Sequence, residues 1–211
     1  MKVIAINGSP RAQGNTYTAI TLVAEELAHA GIETEVLHVG KDQVQGCTAC
    51  GGCIRNRDER CVLPGDLVND AIQSMKEADG ILIASPVHYS AVAGTMKSFL
   101  DRTFYVAGVN GGLFRHKVGA SLVAVRRSGG LTAFDQLNNF LLYAEMLIPA
   151  SHYWNVIHGA RPGEVLQDAE GVQILQVLGR NMAWLMKLVE HGREDIPAPI
   201  KEKKVNMNFV R

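Results

Sequence analysis

The sequence carries no excess of charge of either sign. Its 211 residues hold 21 Lys and Arg against 21 Asp and Glu. A neutral chain has no basic footprint for nucleic acid and no attraction to an acidic lipid surface, so neither is expected as the main partner. The balance also argues against a freely diffusing acidic electron shuttle. Low net charge gives little electrostatic solubility and favours self-association. No apolar run reaches the ~18–20 residues that span a bilayer. The amino terminus enters a strand with no signal-peptide pattern, so a cytoplasmic chain is expected. The mononucleotide string GxxxxGK[ST] is missing, and no GxGxxG follows the first strand. No Ser/His/Asp triad, paired catalytic carboxylates or helical His pair at i, i+4 stands out, and His152 and His158 make a weak metal site. Repeats, low-complexity blocks and internal linkers are lacking too.

What is present is 47% apolar content, enough for one sizeable core. Val3–Ile6, Ile81–Ala84 and Val118–Val125 are continuous apolar runs, the pattern of parallel strands covered on both faces. Thr34–Val39 alternates, which suits an edge, and His152–Ile157 reads as the last strand. Helical spacing predicts helices over Gly14–Ala30, Leu67–Met75 capped by Asp66, Gly94–Tyr105, Thr132–Leu147 and Ala169–Glu190. Strands alternating with helices give a doubly wound α/β sheet of five parallel strands with right-handed crossovers. The expected order is 2-1-3-4-5, with the ligand beyond the carboxyl ends of strands one and three. A single domain over residues 1–194 is expected, with an irregular cysteine loop at 41–65 and an extended or mobile tail at 195–211.

Three loops lie at that end of the sheet. The first, Asn7 to Thr16, is small, polar and rich in donors, and leads straight into a helix. Open backbone N–H groups and the helix dipole favour an anion there. Ser9, Asn15 and Thr16 can add donors and Arg11 a full charge. The plainer alternative is a turn with an Asn or Thr cap. The second loop, Ser85 to Ser90, contains Pro86, which cannot continue a central strand, so the chain is expected to leave the sheet there. Pro86, Val87, His88, Tyr89 and Ser90 then offer an aromatic ring and amides to a flat heteroaromatic ligand, or simply form a turn with surface aromatics. The third runs from Arg126 through Arg127 and Ser128 to Gly129 and Gly130, whose glycines let backbone approach a ligand.

All four cysteines fall in one string, Cys47-x2-Cys50-x2-Cys53-x7-Cys61, interleaved with Gly46, Gly51 and Gly52. Such clustering points to metal or redox chemistry rather than a disulfide framework. Four thiolates are the usual ligand set for [4Fe–4S] and also for zinc. A loop lined with cysteines and holding no metal is the other reading. Arg55, Arg57 and Arg60 either offset thiolate charge or form a solvated surface. Asp101 and Arg102 are read as a local ion pair or a subunit contact.

The string Gly8-Ser9-Pro10-Arg11-x-x-Gly14-Asn15-Thr16 resembles the phosphate loop of the flavodoxin-like NAD(P)H-dependent FMN reductases. The segment from Ser85 to Arg102 is similar to that family's flavin-wall segment. So is the continuation through Tyr153-Trp154, Pro162–Val165 and Asp168–Gly171, so the likeness spans residues 1–190. The cysteine spacing resembles that of archaeal-type iron–sulfur flavoproteins. The resemblance implies FMN phosphate on Ser9, Arg11, Gly14, Asn15 and Thr16, with the ring against Pro86–Ser90 and Ser128–Gly130. Arg126 or Arg127 then polarises the N1–C2 edge of the flavin or takes a nicotinamide nucleotide's phosphate. It implies NAD(P)H as co-substrate, an acceptor such as free flavin, a quinone or a redox protein, and a homodimer or homotetramer. Two rivals stay open: a non-enzymatic flavin or iron–sulfur electron carrier, and a metal-binding regulatory protein without flavin turnover. A reductase of an arsenical, azo dye or quinone is a weaker third.

Overall fold

The computed structural model describes residues 1–207 and 209. The chain runs β1 (Lys2–Asn7), α1 (Asn15–His29), β2 (Glu33–His38), α2 (Gly52–Asn56), α3 (Val68–Glu77), β3 (Gly80–His88), β4 (Ala91–Val92), α4 (Gly94–Val109), β5 (Val118–Val125), α5 (Gly130–Tyr143), β6 (Val156–His158), a 3₁₀ turn (Glu164–Gln167) and α6 (Ala169–Gly192). The parallel strands stand in the order β2-β1-β3-β5-β6, with β4 pairing β3 as a short antiparallel arm. Counting the five parallel strands alone, this is the flavodoxin-like order 2-1-3-4-5. No described helix is long and apolar enough to cross a membrane.

The apolar runs of β1, β3 and β5 feed two cores at once. Val3, Ala5, Leu82, Ala84, Ala120 and Leu122 face α1 and α6. Their alternates Ile4, Ile6, Ile81, Ile83 and Val123 face α3, α4 and α5. Burial on both faces is why these strands show no polar alternation. β2 pairs only with β1 and is half exposed, as its mixed pattern requires. The strand order reverses between β1 and β3, and in such sheets ligands sit beyond the carboxyl ends of the strands at that point.

α2, β4 and the 3₁₀ turn are not in the sequence reading, and four predicted elements have other bounds. β3 does not stop before Ser85; it runs to His88, with Pro86 in register with Ala124. β1 pairs β3 only as far as Asn7 and Ala84, so Pro86 lies where β3 has one parallel neighbour and a missing N–H is tolerated. α5 ends at Tyr143 rather than Leu147, because Glu145 turns into the left-handed region and Leu147 bridges to Val118. β6 is three residues, Val156–His158, since the chain from Ile148 to Asn155 loops instead of pairing. α4 continues past Tyr105 to Val109.

Candidate active site

The first loop is organised by Asn7, a buried residue absent from the predicted site set. Its Oδ1 accepts from Ser9 N–H at 3.1 Å, and its Nδ2 donates to the Ala12 carbonyl at 3.2 Å. Ser9 Oγ accepts from Arg11 N–H at 3.1 Å. β2 closes the cup from behind. His38 Nε2 lies 2.7 Å from the Ser9 carbonyl, and a Cβ on Gly40 would sit 2.1 Å from that same oxygen.

The cup's remaining donors point nowhere inside the protein. Gly14 takes the N-cap position of α1 and no side chain caps the helix. The turn with an Asn or Thr cap is therefore not what forms. The N–H groups of Ala12, Gln13, Asn15, Thr16 and Tyr17 have no internal acceptor among the described residues, and the first helical bond is Thr18 N–H to Gly14 O. Uncapped first-turn amides carry the positive end of the helix dipole. Thr16 is buried beside them, whereas Arg11 is exposed and has no carboxylate partner among the described residues.

The second and third loops meet. β3 and β4 are joined by Tyr89 and Ser90, with φ of 51° and 57°. Two left-handed residues make the tight hairpin turn that normally takes Asn-Gly. A tyrosine and a serine held there cost roughly 1–2 kcal/mol each. Strain of this kind gathers at sites where a backbone must present something, and Tyr89 is wholly exposed at the tip. Gly129, at φ +86°, lies under Ser90: an added Cβ would come 2.8 Å from Ser90 Cα. Arg126, Arg127 and Ser128 are exposed, and neither arginine pairs with a carboxylate among the described residues. Beside them, a cavity of about 330 Å³ is lined by Arg127–Leu131, Tyr153, Trp154, His158 and Asp168. Asp168 accepts from Gly171 N–H at 3.0 Å and from His158 N–H at 2.8 Å. Burial pushes its carboxyl up, but those bonds and the His158 ring bring it below the usual carboxylate range. A larger cavity, about 740 Å³, opens at the far end of the sheet between Lys117, Arg193 and Pro197–Pro199. It lies where the parallel strands begin, away from all three loops.

The four cysteines line one small cavity with Arg102, Tyr105 and Val106 of α4. Cys47 and Cys50 are exposed, Cys53 is buried and Cys61 half-buried, and all are free thiols. Left-handed backbone at Ala49 and Gly51 coils the loop, and α2 carries Cys53 inward. Burial raises the Cys53 thiol, with Cys61 and Cys47 adding to it. The Gly52 N–H, then the Thr48 hydroxyl, lower Cys50. Arg55 and Arg57 spend donors on the carbonyls of Cys50 and Ile54. Among the described residues no three His, Cys, Asp or Glu side chains are arranged to hold a single metal ion. A four-iron cage takes one thiolate per iron at separated corners, so it does not need ligands converging on one point. The four-thiolate donor set suits such a cage, and the cavity that the thiols share is about 20 Å³.

The sequence reading of Asp101 and Arg102 as a local pair does not hold. Asp101 bonds Lys97 at 2.6 Å, and Arg102 is buried against Asp66. The available signal was helical spacing: Arg102 lies three after buried Phe99 and four before buried Val106.

A five-stranded parallel sheet in this order, with an uncapped, donor-rich loop after its first strand, defines a flavodoxin-like α/β protein. The chain belongs to the NADPH-dependent FMN reductase family, whose model matches residues 1–161, and it is an FMN-dependent oxidoreductase. It is similar to an iron–sulfur flavoprotein of Methanocaldococcus jannaschii, 34% identical over 197 residues, covering 90% of this chain and all of that one. The fold matches RosB with a bound intermediate at a TM-score of 0.69 and 16% identity, covering 100% of this chain and 93% of that one. It also matches a flavodoxin from the domain Archaea, with a TM-score of 0.58 and 17% identity over 89% of this chain and 99% of that one.

Proposed function

We propose that the chain binds FMN with its phosphate in the cup and passes electrons from NAD(P)H to free flavin, a quinone or a redox protein. The reading rests chiefly on the five open amides at Ala12, Gln13, Asn15, Thr16 and Tyr17. They form a preorganised anion site with Ser9 and Gly14 shaping the loop, Thr16 adding a hydroxyl and Arg11 a charge. The ring rests against Pro86–Ser90 and Ser128–Gly130, where the strained Tyr89–Ser90 turn and Gly129 interlock. FMN, when bound, supplies the redox chemistry. The chain's residues hold the phosphate, orient the ring and place Arg126 or Arg127 at its polar edge or on the nicotinamide nucleotide's phosphate.

Cys47, Cys50, Cys53 and Cys61 hold a [4Fe–4S] cluster in this reading. α4 serves both sites: Met96 packs on Gly8 of the cup, and Arg102, about 9 Å further along the helix, lines the cysteine cavity. Exposed Leu142, Tyr143, Tyr153, Trp154 and Trp184 supply surface for a homodimer or homotetramer.

The test is anaerobic purification with an absorption spectrum, an iron and sulfide count, and titration with FMN and with riboflavin. Flavin bands with iron and sulfide are expected, as is an FMN affinity at least ~100-fold above riboflavin's, for a dianion on several charge-assisted bonds. Equal affinity for the two flavins would remove the phosphate cup from the assignment. Steady-state turnover of NADPH or NADH separates the enzyme from a passive carrier.

A further inference from the structure

Among the described residues Arg102 is the most completely buried cation, with a fully covered side chain in the middle of α4. Every donor it uses goes to the cysteine loop or to its edge. Nη1 pairs with the Asp66 carboxylate and donates to the Gln45 carbonyl at 3.2 Å. Nη2 donates to the Leu63 carbonyl at 3.0 Å, and Nε donates to Cys61 Sγ at 3.3 Å. Gln45 stands just before the first cysteine, and Leu63 and Asp66 just after the last. One guanidinium thus ties the two ends of the loop together and also holds its fourth thiol.

A buried ion pair is a poor way to gain stability, since apolar residues of similar volume often do as well or better. A clamp between α3 and α4 needs only Asp66 and the two carbonyls. The N–H aimed at sulfur is surplus to that task. The planar fork of arginine serves all four partners at once, which the single ammonium of lysine cannot. Asn69 completes the hold from α3: its Oδ1 accepts from Cys61 N–H at 2.7 Å, and its Nδ2 donates to the Cys61 carbonyl at 2.9 Å.

We propose that Arg102 is a positioning residue of the cysteine site, fixing Cys61 in the shared cavity before any metal arrives and setting an N–H and a positive charge against the ligand sulfur. The proposal rests on the reading that the four cysteines hold an iron–sulfur cluster. Hydrogen bonds to the sulfurs and local charge set a cluster's potential, so Arg102 raises it.

Two measurements separate this proposal from that reading. The first is hydrogen exchange of the metal-free protein. R102K keeps the charge and loses the fork, and exchange over residues 45–63 is expected to rise about tenfold while β1, β3 and β5 stay protected. Unchanged protection of that segment overturns the proposal. If R102K does not fold, the double variant R102M/D66L removes the pair without orphaning either charge and carries the same expectation. The second is a redox titration after reconstitution with ferrous iron and sulfide. The cluster's midpoint potential is expected to fall in the variant relative to the wild type. A potential equal to the wild type's reduces Arg102 to a helix clamp and overturns the proposal. Wild-type protein that takes up no iron and sulfide refutes the cluster reading and the sulfur half of the proposal, while the exchange comparison still decides whether Arg102 holds the loop.

Discussion

Asn15 Oδ1 accepts a hydrogen bond from Gly163 N–H at 2.9 Å, joining the first turn of α1 to the turn that precedes α6. Gly159 makes room for the contact, since a Cβ there would lie 3.0 Å from Asn15 Nδ2. The side-chain carbonyl of Asn15 is thereby committed to the fold, and its Nδ2 packs against Gly159.

Asn15→Ala removes both halves of that arrangement. FMN affinity is expected to fall about tenfold, the value of one lost polar interaction. Asn15→Asp is expected to bind more weakly still, because it sets a carboxylate beside the phosphate. Flavin fluorescence quenching measures both, and an N15D affinity equal to the wild type's would place the phosphate elsewhere.

Gly129→Ala combines a strained φ with a methyl pressed on Ser90 Cα. A loss of roughly 1–3 kcal/mol is expected. The double variant G129A/S90G recovers only part of it, since the clash with backbone remains. Urea denaturation of the single and double variants checks this, and full recovery would show that the side chain alone was responsible.

The Tyr89–Ser90 turn gives the opposite expectation for stability. Replacing it with Asn-Gly suits two consecutive left-handed residues and is expected to stabilise the apoprotein by about 1–2 kcal/mol. Flavin binding weakens, because the exposed ring goes with it. A higher melting temperature together with a weaker FMN titration is the predicted pair of results; a lower melting temperature contradicts the account of strain.

Asp168 makes stability depend on pH in a defined sense. Its folded pKa lies below the unfolded value of about 3.9, so its contribution is complete above roughly pH 5 and is lost as pH falls through the folded pKa. Asp168→Asn keeps a capping side chain and removes the titration. The gap in urea midpoint between wild type and D168N is expected to be constant from about pH 7 to 5 and to narrow below about pH 4. A gap that widens in acid would reverse the assignment.

The sheet was legible because its central strands are buried on both faces, which leaves uninterrupted runs such as Val118–Val125. The donor-rich first loop was legible because its donors are contiguous in the chain. Other features depended on distant partners. β3 continues through Pro86 only because β1 has ended beside it. α5 stops early because Leu147 finds Val118. Arg102 looked paired with its neighbour Asp101, yet its carboxylate comes from Asp66, on another helix's approach. Asn7 gives no signal in the sequence, because a strand-ending asparagine carries no pattern of its own. Its role depends on where Ser9 and Ala12 fold back.

The bond between Asn15 and Gly163 also bears on the order of events on the ribosome. The residues of the cup are made before the turn that braces them, which follows all the parallel strands. A nascent chain therefore holds an unbraced cup until Gly163 has been made.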